Sequence, residues 1–176
     1  MATDADKLAQ RCADAMYAAD EASRALGIRI AGIGPGRASA HLTVGPAMLN
    51  GHGSCHGGYL FLLADTAFAF ACNTYGQVTV AAAGDVVFVS PVRLGDELVA
   101  AASERVRFGR SGVYDVTVRR LNGTVGGEVV AEFRGQGRTI TRPDGGPGPR
   151  TEPGTEPGIE PPAGVRSEPS APAGRY

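Results

Sequence analysis

The chain has no surplus of either charge: seventeen Lys and Arg stand against eighteen Asp and Glu, for a net charge of -1. With a pI near 6.3, it gives no hint of a nucleic-acid partner, which normally demands a basic patch or stripe. Cysteine is scarce, and the three residues Cys12, Cys55 and Cys72 are an odd number. That excludes a fully paired disulfide framework and favours reduced thiols in a cytoplasmic protein. The first thirty residues hold no basic stretch followed by an uninterrupted apolar run, so no secretory leader is expected. Long apolar runs are missing too. The most apolar one, Tyr59 to Cys72, is too short to cross a bilayer and carries Asp65 in its middle. These absences predict neither a nucleic-acid nor a membrane partner.

What remains is ordinary material for one soluble domain, 43% hydrophobic and 20% charged. Gly and Pro are abundant (26 and 12), but much of the Pro lies beyond position 142. The domain is therefore expected over residues 1–142. The remainder, 143–176, with its tandem Thr151–Gly154 and Thr155–Gly158 repeat, offers almost nothing to bury and reads as a disordered tail.

Within the domain, Leu8, Cys12, Ala15, Met16 and Ala19 recur at helical spacing, and Gly27 is a natural stop. A hairpin follows, Ile28–Ile33 and Ala38–Val44 around Gly34-Pro35-Gly36-Arg37. Its glycines mimic a dinucleotide fingerprint, but no βαβ unit follows, so turn chemistry explains them. An apolar helix is expected from about His56 to Tyr75. Strands are expected at Thr79–Val89, Glu97–Arg107, Gly112–Leu121 and Val125–Thr139, with Asn122-Gly123 as a hairpin turn. One buried helix among consecutive antiparallel strands implies an α+β fold: a curved sheet of five to six strands wrapped around a long central helix, plus the N-terminal helix.

Two features carry chemistry. Asp65 is the only charge between Tyr59 and Cys72. Taking a carboxylate into such surroundings is costly and raises its pKa, which marks a functional candidate; the alternative is a solvent-facing Asp on a half-exposed helix. His56-Gly57-Gly58 stands at the helix start, where the first N–H groups have no intrahelical acceptor and the dipole favours negative charge. That is a ready hole for an oxyanion. Gly57 and Asp65 lie roughly 12 Å apart along one helix, so they cannot both touch one carbonyl within a chain. If both act, a second subunit must supply one of them, in a two-fold dimer with two shared sites.

The run Asn50-Gly-His-Gly-Ser-Cys-His-Gly-Gly58, followed by Leu63-Ala-Asp-Thr-Ala-Phe-Ala69, resembles the signature of PaaI-type thioesterases of the hotdog superfamily. Gly109-Arg-Ser-Gly-Val-Tyr-Asp-Val116 and Phe133-Arg-Gly135 are similar too, and the likeness spans about residues 8–140. The resemblance implies the hotdog fold and hydrolysis of aryl- or hydroxyaryl-acetyl-CoA by a dimer of dimers, with no cofactor beyond the CoA of the substrate. It implies Asp65 as general base or nucleophile and the Gly57 amide as oxyanion donor. Asn50 would position the nucleophile or thioester, and His56 would orient the loop or contact substrate. Gly58, Thr66, Ala82, Arg110, Ser111 and Gly112 are further candidate substrate contacts, with Arg107 and Arg138 near the CoA phosphates. Ala82 stands where a small hydroxyl residue facing Asp65 is expected.

Several readings compete with this one. His52, Cys55, His56 and Asp65 have the residue types of a zinc site, but the Gly-rich loop spacing is wrong for it and no metal is expected. Cys55 beside His56 reads as a buried structural thiol rather than a nucleophilic dyad. Asp85 and Asp115 read as edge or turn-proximal surface charges. A hotdog hydratase or dehydratase would need a catalytic His, for which His56 is the candidate. A non-catalytic acyl-CoA sensor would tend to lack the acid and carry a DNA-binding extension.

Overall fold

The computed structural model describes residues 2–121 and 126–141. The Asn122-Gly123 turn and the 143–176 tail lie outside them. The first helix, α1 (Asp4–Ala18), starts on a capping box in which Thr3 accepts from the Asp6 N–H and Asp6 returns the bond. The expected single helix is in fact two. Asp20 accepts from the Ser23 N–H at 3.0 Å and opens α2 (Glu21–Ala25), because a short polar side chain at such a spot competes with helix continuation. Gly27, at φ +71°, ends it as expected. The buried face of α1 is Ala9 and Ala13, whereas Ala15 and Ala19 point to solvent. Tyr17 anchors α1, donating to the Ile28 carbonyl at 2.7 Å.

Six strands follow: β1 (Arg29–Gly34), β2 (Arg37–Thr43), β3 (Thr79–Phe88), β4 (Glu97–Phe108), β5 (Ser111–Arg120) and β6 (Glu128–Thr139). They form one sheet in the order β1-β2-β4-β5-β6-β3, antiparallel throughout. Between β2 and β3 runs the central helix α3 (Gly57–Cys72), packed across the inner face of the sheet. The period-two alternation is clean in β5, where Gly112, Tyr114, Val116 and Val118 are buried. Asp115, facing out from the same strand, is neither at an edge nor near a turn: Arg105 and Arg134 pair with it at 3.2 and 2.7 Å. Helix and sheet approach closely because glycines leave room for rings. A Cβ on Gly135 would stand 2.8 Å from Phe68 Cδ2, and Phe68 packs edge-on to Tyr114 at 5.5 Å between centroids.

The end of α3 is fastened firmly. The Asn73 amide donates to the Thr79 carbonyl (2.8 Å) and accepts from the Thr79 N–H (2.9 Å). Tyr75 and Tyr114 both donate to the Glu104 carboxylate. Strand β3 breaks the burial pattern. It lies at a sheet edge with almost every residue exposed, including Val80, Val87 and Phe88.

Candidate active site

The loop before α3 sets the position of its first turn. Asn50 Oδ1 accepts from the His52 N–H (2.9 Å) and the Ser54 N–H (3.2 Å), and its Nδ2 donates to Ser54 Oγ. Its amide therefore closes its own loop. The His56 N–H donates to the Met48 carbonyl at 2.8 Å, and His56 Nδ1 accepts from the Gly58 N–H at 3.0 Å. His56 is thus the N-cap of α3. That places the proton on Nε2 in the neutral ring and removes Nδ1 from any acid–base role a hydratase would ask of it. The Gly57 N–H has no acceptor among the described residues, as the geometry of a helix start requires.

Asp65 sits two turns on. Gly58, Phe61, Leu62, Asp65 and Ala69 form the stripe of α3 that its own sheet leaves partly exposed, following the i, i+3, i+4 rule for one helix face. Apart from Asp65 that stripe is apolar, so the carboxylate is neither solvated like a surface Asp nor paired: among the described residues it makes no hydrogen bond or ion pair. Burial holds its carboxyl above the ordinary carboxylate value.

The stripe runs beside β3. Phe88 covers Gly57, Phe61 touches the space over Gly84, and Asn73 grips Thr79, so Asp65 is bracketed at the level of residues 81–83. Ala82 is the extra residue of a β-bulge there, since Ala81 pairs with Gly137 and Ala83 with Gln136. It is exposed and adds no hydroxyl. Thr66 is turned the other way, 8% exposed in the core.

The remaining candidates are at the far end. Arg110, Ser111 and Gly112 line a shallow notch with Cys72 and Tyr75, at the C-terminus of α3. A helix of that length puts them roughly 24 Å from Gly57. Arg107 stacks on the Tyr75 ring at 4.0 Å. Within one chain, then, Asn50, His56, Gly57 and Gly58 are brought together, Asp65 stands apart, and the Arg110 group is remote from both. A groove of about 780 Å³ on the outer sheet face, bordered by Asp85, Asp115, Glu132 and Arg134, is on the wrong side of the sheet to reach α3.

Neither thiol is poised for attack. Cys55 is buried, and desolvation with help from Asp96 pushes its thiol up; burial takes Cys72 up to about 12. Among the described residues no three His, Cys, Asp or Glu side chains are gathered as for a metal. One neighbour of the site was not foreseen. Phe88 stands where a Cβ on Gly57 would be, its Cζ 2.8 Å from that point. The signal was available in the period-two register, because Gly84, Val86 and Phe88 share the strand face turned to α3.

Comparison with known proteins gives the family and the fold. Residues 52–126 match the family described as Thioesterase superfamily. The acyl-coenzyme A thioesterase PaaI of Escherichia coli is 45% identical over 128 residues, covering 73% of this chain and 89% of that protein. The structure of the PaaI protein from the phenylacetic acid degradation operon of Escherichia coli superposes with a TM-score of 0.73 at 44% identity, over 77% of this chain and 95% of that one. A variant of the phenylacetic acid degradation protein PaaI from Thermus thermophilus gives a TM-score of 0.64 at 34% identity, over 69% and 100%. The six-stranded antiparallel sheet around α3, the site motif at its start and these likenesses agree, and the chain belongs to the thioesterase superfamily as a PaaI-type member with the hotdog fold.

Proposed function

We propose that the chain hydrolyses aryl- or hydroxyaryl-acetyl-CoA thioesters to the free acid and CoA, at sites shared between two subunits. Membership of the thioesterase superfamily makes thioester hydrolysis the reaction class. The observation that carries the shared-site reading is Asp65, without a hydrogen bond or ion pair among the described residues, on a half-exposed apolar stripe beside a strand edge that no described strand pairs with. An edge with unused backbone donors and acceptors, no Lys and no Pro along its length is a template for another strand. A second β3 related by a two-fold axis would pair with it antiparallel. The partner's α3 then runs opposite to the first, which carries Asp65 of the partner subunit toward Gly57. The same pairing brings the far end of the partner's helix, with its Arg110, Ser111 and Gly112 copies, over to the Gly57 side. A dimer of such dimers is the assembly we expect.

In this reading the thioester carbonyl oxygen accepts from the Gly57 N–H, aided by the positive end of the α3 dipole. Asp65 of the partner subunit takes a proton from a water that attacks the carbonyl carbon, or attacks directly to give a mixed anhydride that water then opens. Its raised pKa strengthens it as a base. The C–S bond breaks with its electron pair on sulfur, and the thiolate is a good enough leaving group to need no strong acid. Water is the only co-reactant in the balance. Asn50 and His56 act by holding the loop and the first turn in place.

Two variants test this together. Gly57→Pro removes the N–H while keeping the helix, because Pro is tolerated at the first helical position and His56 already has the extended backbone (φ -63°, ψ 131°) that a residue before Pro requires. It should lower kcat for thiol release from an acyl-CoA panel by about a hundredfold or more relative to Gly57→Ala, which brings the same Cβ against Phe88 and keeps the N–H. Asp65→Asn should lower it as far relative to wild type. Refolded together in equal amounts, the two inactive chains should recover about a quarter of wild-type activity, since half the random dimers carry one intact site of two. No recovery would refute the shared site; full activity in Asp65→Asn would refute the chemistry.

A further inference from the structure

Resting on the thioesterase reading above, we propose that Phe88 is the specificity-determining residue, the wall on which the ring of an aryl-acyl group packs. Its placement is unusual for a large apolar side chain. Phe88 ends β3, turns inward to α3, and is nevertheless 52% exposed. Its ring tip lies roughly 4 Å from the Gly57 Cα, since the Cζ is 2.8 Å from where a Cβ would stand.

A carbonyl oxygen bonded to the Gly57 N–H at about 2.9 Å holds its carbon roughly 4 Å from that nitrogen. A group attached to that carbon on the side of the Cβ position is then within van der Waals reach of the Phe88 ring. In an arylacetyl thioester the aromatic ring begins one methylene farther on. The other aromatic side chains near α3 are already engaged. Phe61 packs edge-on to Phe133 at 5.3 Å, Phe68 lies between Tyr114 and Phe133, and Phe70 meets Tyr17 at 6.3 Å. Tyr59 reaches back to the Ala47 carbonyl. Phe88 enters no ring pair among the described residues and is half exposed in the single chain, so its ring is left for a ligand held between the two subunits.

The test uses two non-hydrolysable ketones in which a methylene replaces the thioester sulfur, the carba analogues of phenylacetyl-CoA and butyryl-CoA, titrated calorimetrically into the full chain. Both keep the carbonyl that the Gly57 N–H would hold. Wild type and Phe88→Tyr should both prefer the phenylacetyl analogue. Phe88→Leu, which keeps the bulk and loses the ring, should lower that preference about tenfold, mostly through weaker binding of the phenylacetyl analogue. An unmoved preference overturns the assignment, as does an equal loss for both compounds, which would mean that Phe88 only supports the fold or the subunit contact. Failure of wild type to bind either compound overturns it too. Because a ketone has no scissile C–S bond, the outcome is independent of turnover. Selectivity without hydrolysis would refute the hydrolase reading alone, and hydrolysis with an unmoved preference would refute the role of Phe88 alone.

Discussion

Two glycine-to-alanine exchanges should behave in opposite ways, although each builds a Cβ 2.8 Å from a phenylalanine ring. At Gly135 the obstacle is Phe68, fully buried, with Phe133 2.9 Å from the same point. Carbon atoms prefer roughly 3.5–4.0 Å, and neither ring has anywhere to go. Overpacking of this kind costs about 1–3 kcal/mol, and the stiffer unfolded chain offsets only about 0.4–1 kcal/mol of it. Gly135→Ala should therefore lose about 1 kcal/mol or more. At Gly57 the obstacle is Phe88, whose ring is half in solvent and can swing aside for about 0.5–1.5 kcal/mol at most. Alanine gains about 0.4–1 kcal/mol over glycine by stiffening the unfolded chain, so Gly57→Ala should leave stability nearly unchanged. Its activity should nonetheless fall, because the displaced ring no longer flanks the Gly57 N–H. Urea unfolding followed by circular dichroism, with thiol release measured on the same samples, separates the two effects. If Gly57→Ala is destabilised as much as Gly135→Ala, the Phe88 ring is fixed in place and cannot swing aside.

Asp65 couples activity to stability in the opposite sense from a salt-bridged carboxylate. Its folded pKa is raised by burial, so the native state binds the proton more tightly than the unfolded chain does. The stability cost is absent below the unfolded value of about 3.9 and complete above the folded one, so stability falls as pH rises through that window. Asp65→Asn should remove this component, raising the urea midpoint at pH 7 relative to wild type while thiol release falls; an equal or lower midpoint would contradict the burial argument. The acid limb of the wild-type rate profile should lie above the ordinary carboxylate value, and a limb at or below it would exclude Asp65 as the base. Val87→Lys, at an exposed position on the β3 edge, should leave circular dichroism unchanged and shift the sedimentation coefficient to that of a monomer, with activity lost in parallel. A fully active monomer would refute the shared site.

Much of the scaffold was legible because its signals are local. Alternation in β5, the positive-φ Gly27, and the unbroken apolar run of α3 each report conformations set by neighbours in sequence. The candidate site residues stood out for a related reason: a charge inside an apolar helix and glycines at its start are conspicuous without any fold. The break between α1 and α2 was missed because a helical period survives across it, while the Asp20 side chain decides otherwise. The Asn50 amide also closes its own loop onto the His52 and Ser54 N–H groups, a set of bonds that residue type alone does not announce.

What the sequence alone determined was an apolar helix with one charge inside it and glycines at its start; its PaaI-type motif implied the reaction class, and residue type and helical spacing made Asp65 and Gly57 the candidate poles of the site. Only the tertiary structure decided which groups stand near each pole. Contacts between residues far apart in the chain depend on strand order, and the order β1-β2-β4-β5-β6-β3 leaves β3 bare. It also brings Phe88 over Gly57 and carries Arg110 to the opposite end of the helix.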